Sequence, residues 1–272
     1  MRKLIVCMMI AAGLSGVALR ADTLQLEGST TVGPIADAFA EYFKSIYPDL
    51  QITVKKTGSG DGAAALLDAR CDIANMSRFM KDKEFKDAVA KNIFPVAHVV
   101  AMDGVCVIVH PSNPVKALTI EQVRDIYTGK TKNWKELGGP DMPIVPISRD
   151  TSSGTYETFH ELVMAKQEMA ANVEYVNANP QAHARVKGTP GAIRYVGLGF
   201  VDSDVKGLDI DKVKPSRKTI ASGTYPVSRP LYMFTAGYPK LGSMTHRFVT
   251  FHYTEKGQEL IEAKGFVPLT NY

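Results

Sequence analysis

The sequence has 272 residues, with 32 Lys and Arg against 28 Asp and Glu, a formal charge of +4. Residues 1–21 carry Arg2, Lys3 and Arg20 and no acid; without them the balance is 29 to 28, near +1, which excludes a broad basic face for nucleic acid. The remaining stretch of about 250 residues is long enough for two domains rather than one core.

Met1-Arg2-Lys3, the apolar run Leu4 to Val17 and the small residues leading to Ala21 have the layout of a secretory signal peptide. Cleavage is expected near Ala21, with Ala18 as the alternative. The run is short for a membrane span, and no later run reaches that length, so the mature chain is expected to be exported without membrane insertion. Cys7 leaves with the signal. Cys71 and Cys106 remain; export permits a disulfide between them, and their apolar surroundings equally suit two buried thiols. No Cys–His cluster has zinc spacing, and no cofactor or metal is expected.

Asp22 to Glu27 alternates as a half-buried strand does. Gly28-Ser29-Thr30-Thr31-Val32-Gly33-Pro34 breaks it, and Ile35, Ala38, Phe39, Tyr42, Phe43 and Ile46 form a helical stripe closed by Pro48. Leu50 to Lys56 is a second strand, followed by Thr57-Gly58-Ser59-Gly60-Asp61-Gly62 and an Ala-rich helix to Arg70. Cys71 to Met76 is a third strand ending at Ser77-Arg78, and Lys81 to Lys91 a charged surface helix. Phe94 to Met102 and Gly104 to Val109 read as two strands buried on both faces, with His98 a structural residue.

Thr119 to Tyr127 is a capped helix ended by Gly129, and Asn133 to Gly139 a loop plugged by Trp134. Pro143 to Ser148 leads as a strand into Arg149-Asp150-Thr151-Ser152-Ser153-Gly154-Thr155 and a further helix, in which His160 reads as a surface residue. His183 falls in a predicted loop, Pro190 to Val201 in a short helix and a strand, and Lys206 to Ser222 in a peripheral polar segment. Arg229 to Ala236 is an apolar strand, and Thr245 to Ala263 is amphipathic. Strands alternating with helices imply α/β architecture with mostly parallel sheets.

Three strand–turn–helix corners, at 28–34, 58–63 and 151–156, carry glycines and hydroxyls. Helix N-termini present free N–H groups and the positive end of the dipole, and in parallel sheets they gather at the carboxyl ends of the strands. With Arg149 as a fixed fork of donors, they converge on a small oxyanion. Thr30, Thr31, Ser59, Ser153 and Thr155 can surround such an ion without net positive charge. An enzyme is not expected: there is no G-x-S-x-G, no His placed to activate Ser153, and no clustered Asp and His for a metal phosphatase.

Gly28 to Pro34, Thr57 to Gly62, Leu118 to Trp134, Arg149 to Thr155, Gly191 to Phe200 and Tyr225 to Leu231 together resemble, in order over nearly the whole mature chain, the phosphate-binding proteins of bacterial phosphate ABC transporters. The resemblance implies a type II periplasmic-binding-protein fold: two α/β lobes, a hinge of two crossovers near Asp103–Val109 and Pro230–Phe234, and a ligand in the interlobe cleft. The implied domains are 1–21 as signal peptide, 22–106 plus 232–272 as the first lobe and 107–231 as the second. By position, Thr30, Thr31, Ser59 and Ser77 would hold inorganic phosphate from one side, and Arg149, Ser153, Gly154 and Thr155 from the other. The implied partners are ABC-transporter permease subunits, the location the periplasm, and the state a monomer. Two departures stand out. Some members carry an Asp after the third strand that accepts from protonated phosphate; here Asn75-Met76-Ser77-Arg78 offers no carboxylate, leaving Asp61 or Asp150 for that role. Thr31 stands where the family has an aromatic. A sulfate-like oxyanion as ligand, or an exported sensory or adhesion protein on the same fold, is the alternative.

Overall fold

The structure is a computed structural model and describes residues 23–269. The proposed signal peptide lies outside the described residues.

The first half of the chain runs β1 (Thr23–Gly28), α1 (Gly33–Ile46), β2 (Gln51–Lys56), α2 (Ser59–Leu67), β3 (Ile73–Met76) and α3 (Asp82–Ala90). The second half of the alternation follows β4 (Pro95–Val109) and β5 (Ala117–Leu118). It comprises α4 (Ile120–Tyr127), β6 (Val145–Arg149), α5 (Gly154–Leu162), β7 (Glu174–Val176), α6 (Asn179–Lys187) and β8 (Ala192–Gly197). Short strands β9 (Lys206–Gly207) and β10 (Asp209–Ile210) and helix α7 (Arg217–Ala221) lead to β11 (Ser228–Ala236), and α8 (Met244–Thr250) and α9 (Glu255–Ala263) finish the chain.

Among the described residues the strands follow the order β2-β1-β3-β11-β4-β8-β6-β7, with β9 also on β4. β1 pairs in parallel with β2 and β3, and β6 in parallel with β7 and β8. The antiparallel strands β4 and β11 join the two parallel groups. This is the α/β architecture expected, with one helix-covered sheet region per lobe. Each region has its own core. Phe39, Phe43, Phe248 and Phe266 pack with Leu24, Leu26 and Ile73 in one. Tyr127, Trp134, Phe159, Tyr195 and Tyr225 pack with Val105 and Val107 in the other. Thr119 caps α4 by accepting from Gln122 N, and Trp134 donates its indole N–H to Gly191 O at 2.9 Å.

Several sequence expectations need correction. The two apolar runs on either side of Asp103 form one strand, β4, and its first five residues, on both faces, are only half-buried. In Pro190–Val201 the strand comes first and a short 3-10 turn, Leu198–Phe200, follows. His183 lies in α6 rather than a loop, with Nε2 on Asp202 Oδ1. The segment 206–222 is not peripheral: Leu208, Ile210 and Ile220 are buried in the second core, because β9 pairs with β4 and β10 with β5. Cys71 and Cys106 are both buried and unpaired, and burial pushes the Cys71 thiol up to about 12, which makes it a poor nucleophile. His98 sits on β4 as expected, its Nε2 3.0 Å from Thr235 Oγ1.

His252 carries a pH consequence. Its Nδ1 donates to Val249 O at 2.8 Å, the ring is buried, and burial lowers its pKa to about 4. The folded chain therefore refuses a proton that the unfolded chain accepts below about 6.5. The unfolded state binds more protons between these values, so the contribution is complete above about pH 6.5 and is lost as pH falls toward 4, by up to roughly 3 kcal/mol. Urea midpoints at pH 7 and 4.5 should show this drop, and His252→Gln should flatten it; an unchanged pH dependence in His252→Gln would refute the assignment.

Candidate functional site

The carboxyl ends of β1, β3 and β6 and the first turns of α2 and α5 meet in one cleft. Ser29, Thr30, Thr31, Gly58, Ser59, Ser77, Arg149, Ser153, Gly154 and Thr155 line it and leave about 120 Å3 of empty space. None of it admits a water-sized sphere: the two walls stand closed on one another, which leaves no place for a sugar or a peptide. All eight residues expected from the sequence are among the ten; Ser29 and Gly58 are additions. Asp61 and Asp150 are not among them, which corrects the expectation that one would face the ion. Asp150 Oδ1 instead accepts from Ser152 N at 2.9 Å and from Ser152 Oγ, and burial raises the Asp61 pKa while a hydrogen bond with Ser152 pulls it down.

The backbone explains how the walls come so close. Gly58 stands at φ +143°, a conformation that a side chain resists, and a Cβ there would lie 2.5 Å from Ser152 Oγ. A Cβ on Gly154 would lie 2.4 Å from Ser59 Oγ and 2.6 Å from Ser77 Oγ. Only glycine lets the start of α5 press against the opposite wall. The first N–H groups of α5 have no carbonyl of their own helix to bind, and Ser153 Oγ takes up the one from Tyr156.

Arg149 is 1% exposed. Its Nε donates to Val176 O at 3.1 Å and its Nη2 to Asn177 O at 2.8 Å, so β7 and the entry to α6 fix the guanidinium plane. Nη1 reaches across the cleft to Thr30 Oγ1 at 3.2 Å and to Asn179 Oδ1 at 3.3 Å. Burial lowers its pKa, with Asp150 opposing from 3.7 Å; a guanidinium keeps its charge regardless.

Fixed donors limit how several of the hydroxyls can turn. An arginine only donates, so Asn179 turns its oxygen to Arg149 and its amide N–H to Thr31 Oγ1, at 3.1 Å. Thr155 Oγ1 accepts from Arg229 Nη2 at 3.0 Å, Ser59 Oγ from Ser77 N at 3.0 Å, and Ser29 Oγ from Thr31 N at 3.1 Å. Each of these oxygens already accepts from a group that can only donate, which leaves its own proton to give; one of the Thr31 and Thr155 protons goes to the other hydroxyl, at 3.0 Å. Ser77 Oγ has no such fixed donor; its neighbour is Ser59 Oγ at 3.3 Å. Among the described residues no carboxylate lines the cleft.

Arg229 ties this site to the strands between the lobes. It pairs with Asp103 Oδ2 through Nε at 3.1 Å and Nη2 at 2.8 Å, and Nη1 donates to Ser77 O at 3.0 Å. Burial raises the Asp103 pKa, while Arg229 and the Leu198 N–H pull it back. The sequence reading missed Asn179, Asp103 and Arg229; Asn179-Pro180, a capless helix start, was the one local signal.

The profile of the PBP superfamily domain matches residues 15–256. The phosphate-binding protein PstS of Bacillus subtilis is 34% identical over 251 residues, covering 92% of this chain and 81% of the relative. The chain belongs to the PBP superfamily, among the PstS phosphate-binding proteins. The PstS of Pseudomonas aeruginosa is 29% identical over 280 residues, 95% of this chain and 85% of the relative. Among solved structures, a Clostridium perfringens protein described as a phosphate ABC transporter substrate-binding protein with bound phosphate superposes with a TM-score of 0.84. It is 32% identical, with 92% of this chain and 100% of that one covered. An ABC-type phosphate transport receptor from Vibrio cholerae gives a TM-score of 0.73 at 30% identity, covering 90% and 99%. For a PstS protein the cleft is in the place its fold dictates, at strand ends between two lobes.

Proposed function

We propose that this chain is exported to the periplasm, captures inorganic phosphate between lobes 22–106 plus 232–272 and 107–231, and delivers it as a monomer to the permease of an ABC transporter. The observation that carries this is the cleft itself: a small space walled by hydroxyl donors, helix N-termini and one buried guanidinium. Thr30, Thr31, Ser59 and Ser77 hold the ion from one lobe, and Arg149, Ser153, Gly154 and Thr155 from the other. The arrangement offers no base or nucleophile partner for chemistry, which supports a binding protein rather than an enzyme. Ser77 takes the part of the missing carboxylate: its hydroxyl oxygen, not committed to a fixed donor, accepts the proton that phosphate carries and sulfate lacks.

Titration calorimetry of the mature chain with phosphate and with sulfate tests this. One phosphate should bind per chain, more tightly than sulfate, and the preference should shrink in Ser77→Ala. Sulfate binding equal to or tighter than phosphate would overturn the ligand; an unchanged preference in Ser77→Ala would remove Ser77 as acceptor.

A further inference from the structure

Arg194 lies in β8, fully buried. Its Nε donates to Tyr195 O at 3.1 Å, while Nη1 and Nη2 have no partner among the described residues. It is on the side of the sheet where Ile108, Ile147, Val186, Ala192 and Val196 form an apolar cluster. Parallel pairing sets Arg194 beside Ile147, so Arg149 comes two residues later along β6 on the same face, roughly 6.6 Å further toward the cleft.

A guanidinium in an apolar layer without a counter-charge is a costly arrangement, and a second cation nearby makes it worse. Burial and Arg149 both press its pKa down, to about 9, so it still carries its charge at neutral pH. Among the described residues the buried charged side chains are Arg149, Arg194, Arg229, Asp103 and Glu27; Glu27, one residue before the Gly28 corner, has Arg70 at 3.5 Å. With Glu27 matched by Arg70, three cations against the Asp103 carboxylate leave two positive charges, offset in part by Asp150 at the rim. Tyr127 and Tyr195, the other titratable groups that act on Arg194, are neutral, since burial raises both.

We propose that Arg194 is a positioning residue that sets the charge of the site: it holds a second positive charge one pleat below Arg149, matched to a doubly charged oxyanion. It does not line the cleft, and it acts through the field it adds behind Arg149. An oxyanion in the cleft supplies the counter-charge that the fold withholds. This rests on the phosphate reading above.

The test compares the mature chain with Arg194→Met and Arg194→Lys, by calorimetry with inorganic phosphate at pH 8 and by thermal melting without phosphate. The Met variant should melt no lower than the parent, since it loses an unpaired buried charge, yet bind phosphate about tenfold or more weakly. The Lys variant should stay within about threefold of the parent. Phosphate affinity of the Met variant within about twofold of the parent, or an equal loss in the Lys variant, would overturn the assignment. If the Met variant does not fold, Arg194→Gln read against Arg194→Lys decides by the same criteria. A parent that binds no phosphate would instead remove the ligand, a separate failure.

Discussion

Replacing Arg149 with alanine should weaken phosphate binding by about 2–5 kcal/mol, the usual cost of removing one partner from a buried charged pair. The side chain is buried, and its Nε and Nη2 are spent on Val176 O and Asn177 O. This anchoring holds the remaining edge of the fork toward Thr30 and the cleft. Arg149→Lys keeps the charge but loses the two carbonyl anchors that aim it, so it should recover only part of the affinity. Calorimetry reads both variants, and a loss under about tenfold in Arg149→Ala would place the residue outside the site.

The second large effect is on folding. Arg229→Met should destabilise the chain by about 3–5 kcal/mol, because it leaves the Asp103 carboxylate buried without its cation. Asp103 has no exposed surface and Arg229 is 4% exposed, so water cannot take the partner's place. The double variant Asp103→Leu/Arg229→Met should recover most of the loss, since apolar pairs often replace buried ion pairs at little net cost. Urea unfolding measures this; a single variant within about 1 kcal/mol of the parent would mean that the pair adds nothing to the fold. Arg229 also holds Thr155 Oγ1, so the single variant should lose phosphate affinity as well.

The parts of this site that were readable in the sequence are those whose chemistry is local. The corners at Ser29–Thr31, Gly58–Ser59 and Ser153–Thr155 announce themselves because a strand end, a glycine, a hydroxyl and a helix start are adjacent in the chain. Arg149 was legible for the same reason, one residue from the turn it serves. Asn179, Asp103 and Arg229 were not, because each acquires its role only by pairing over long separations: Asn179 with Thr31, Arg229 with Asp103 and Thr155. Arg229 read as the first residue of an apolar strand, and nothing in Arg229-Pro230-Leu231 announces a buried cation. Arg194 lies likewise in a run of apolar neighbours, where strand pattern says only that the position is inside. The misplacement of 206–222 has a different cause: Leu208, Ile210 and Ile220 are too few and too scattered to set up a period, and two-residue strands leave almost no pattern. The single long β4 was read as two because Asp103-Gly104 interrupts the apolar run; the carboxylate there is paired, so the strand need not break.

The bonds that cross the cleft have a consequence for release. Arg149 to Thr30, Thr31 to Thr155 and Gly60 N to Ser152 O join the two walls, with the Lys81–Glu157 ion pair outside them. None of these can survive a wide separation of the lobes, and the oxyanion's two sets of donors part with them. Capture and discharge are then one equilibrium run in opposite directions. By reciprocity, a transporter that grips the parted form weakens the hold on the ion by the same factor by which the ion weakens the transporter's grip on that form. Under the function proposed above, a docking partner that prefers the lobes apart would itself unload the ion.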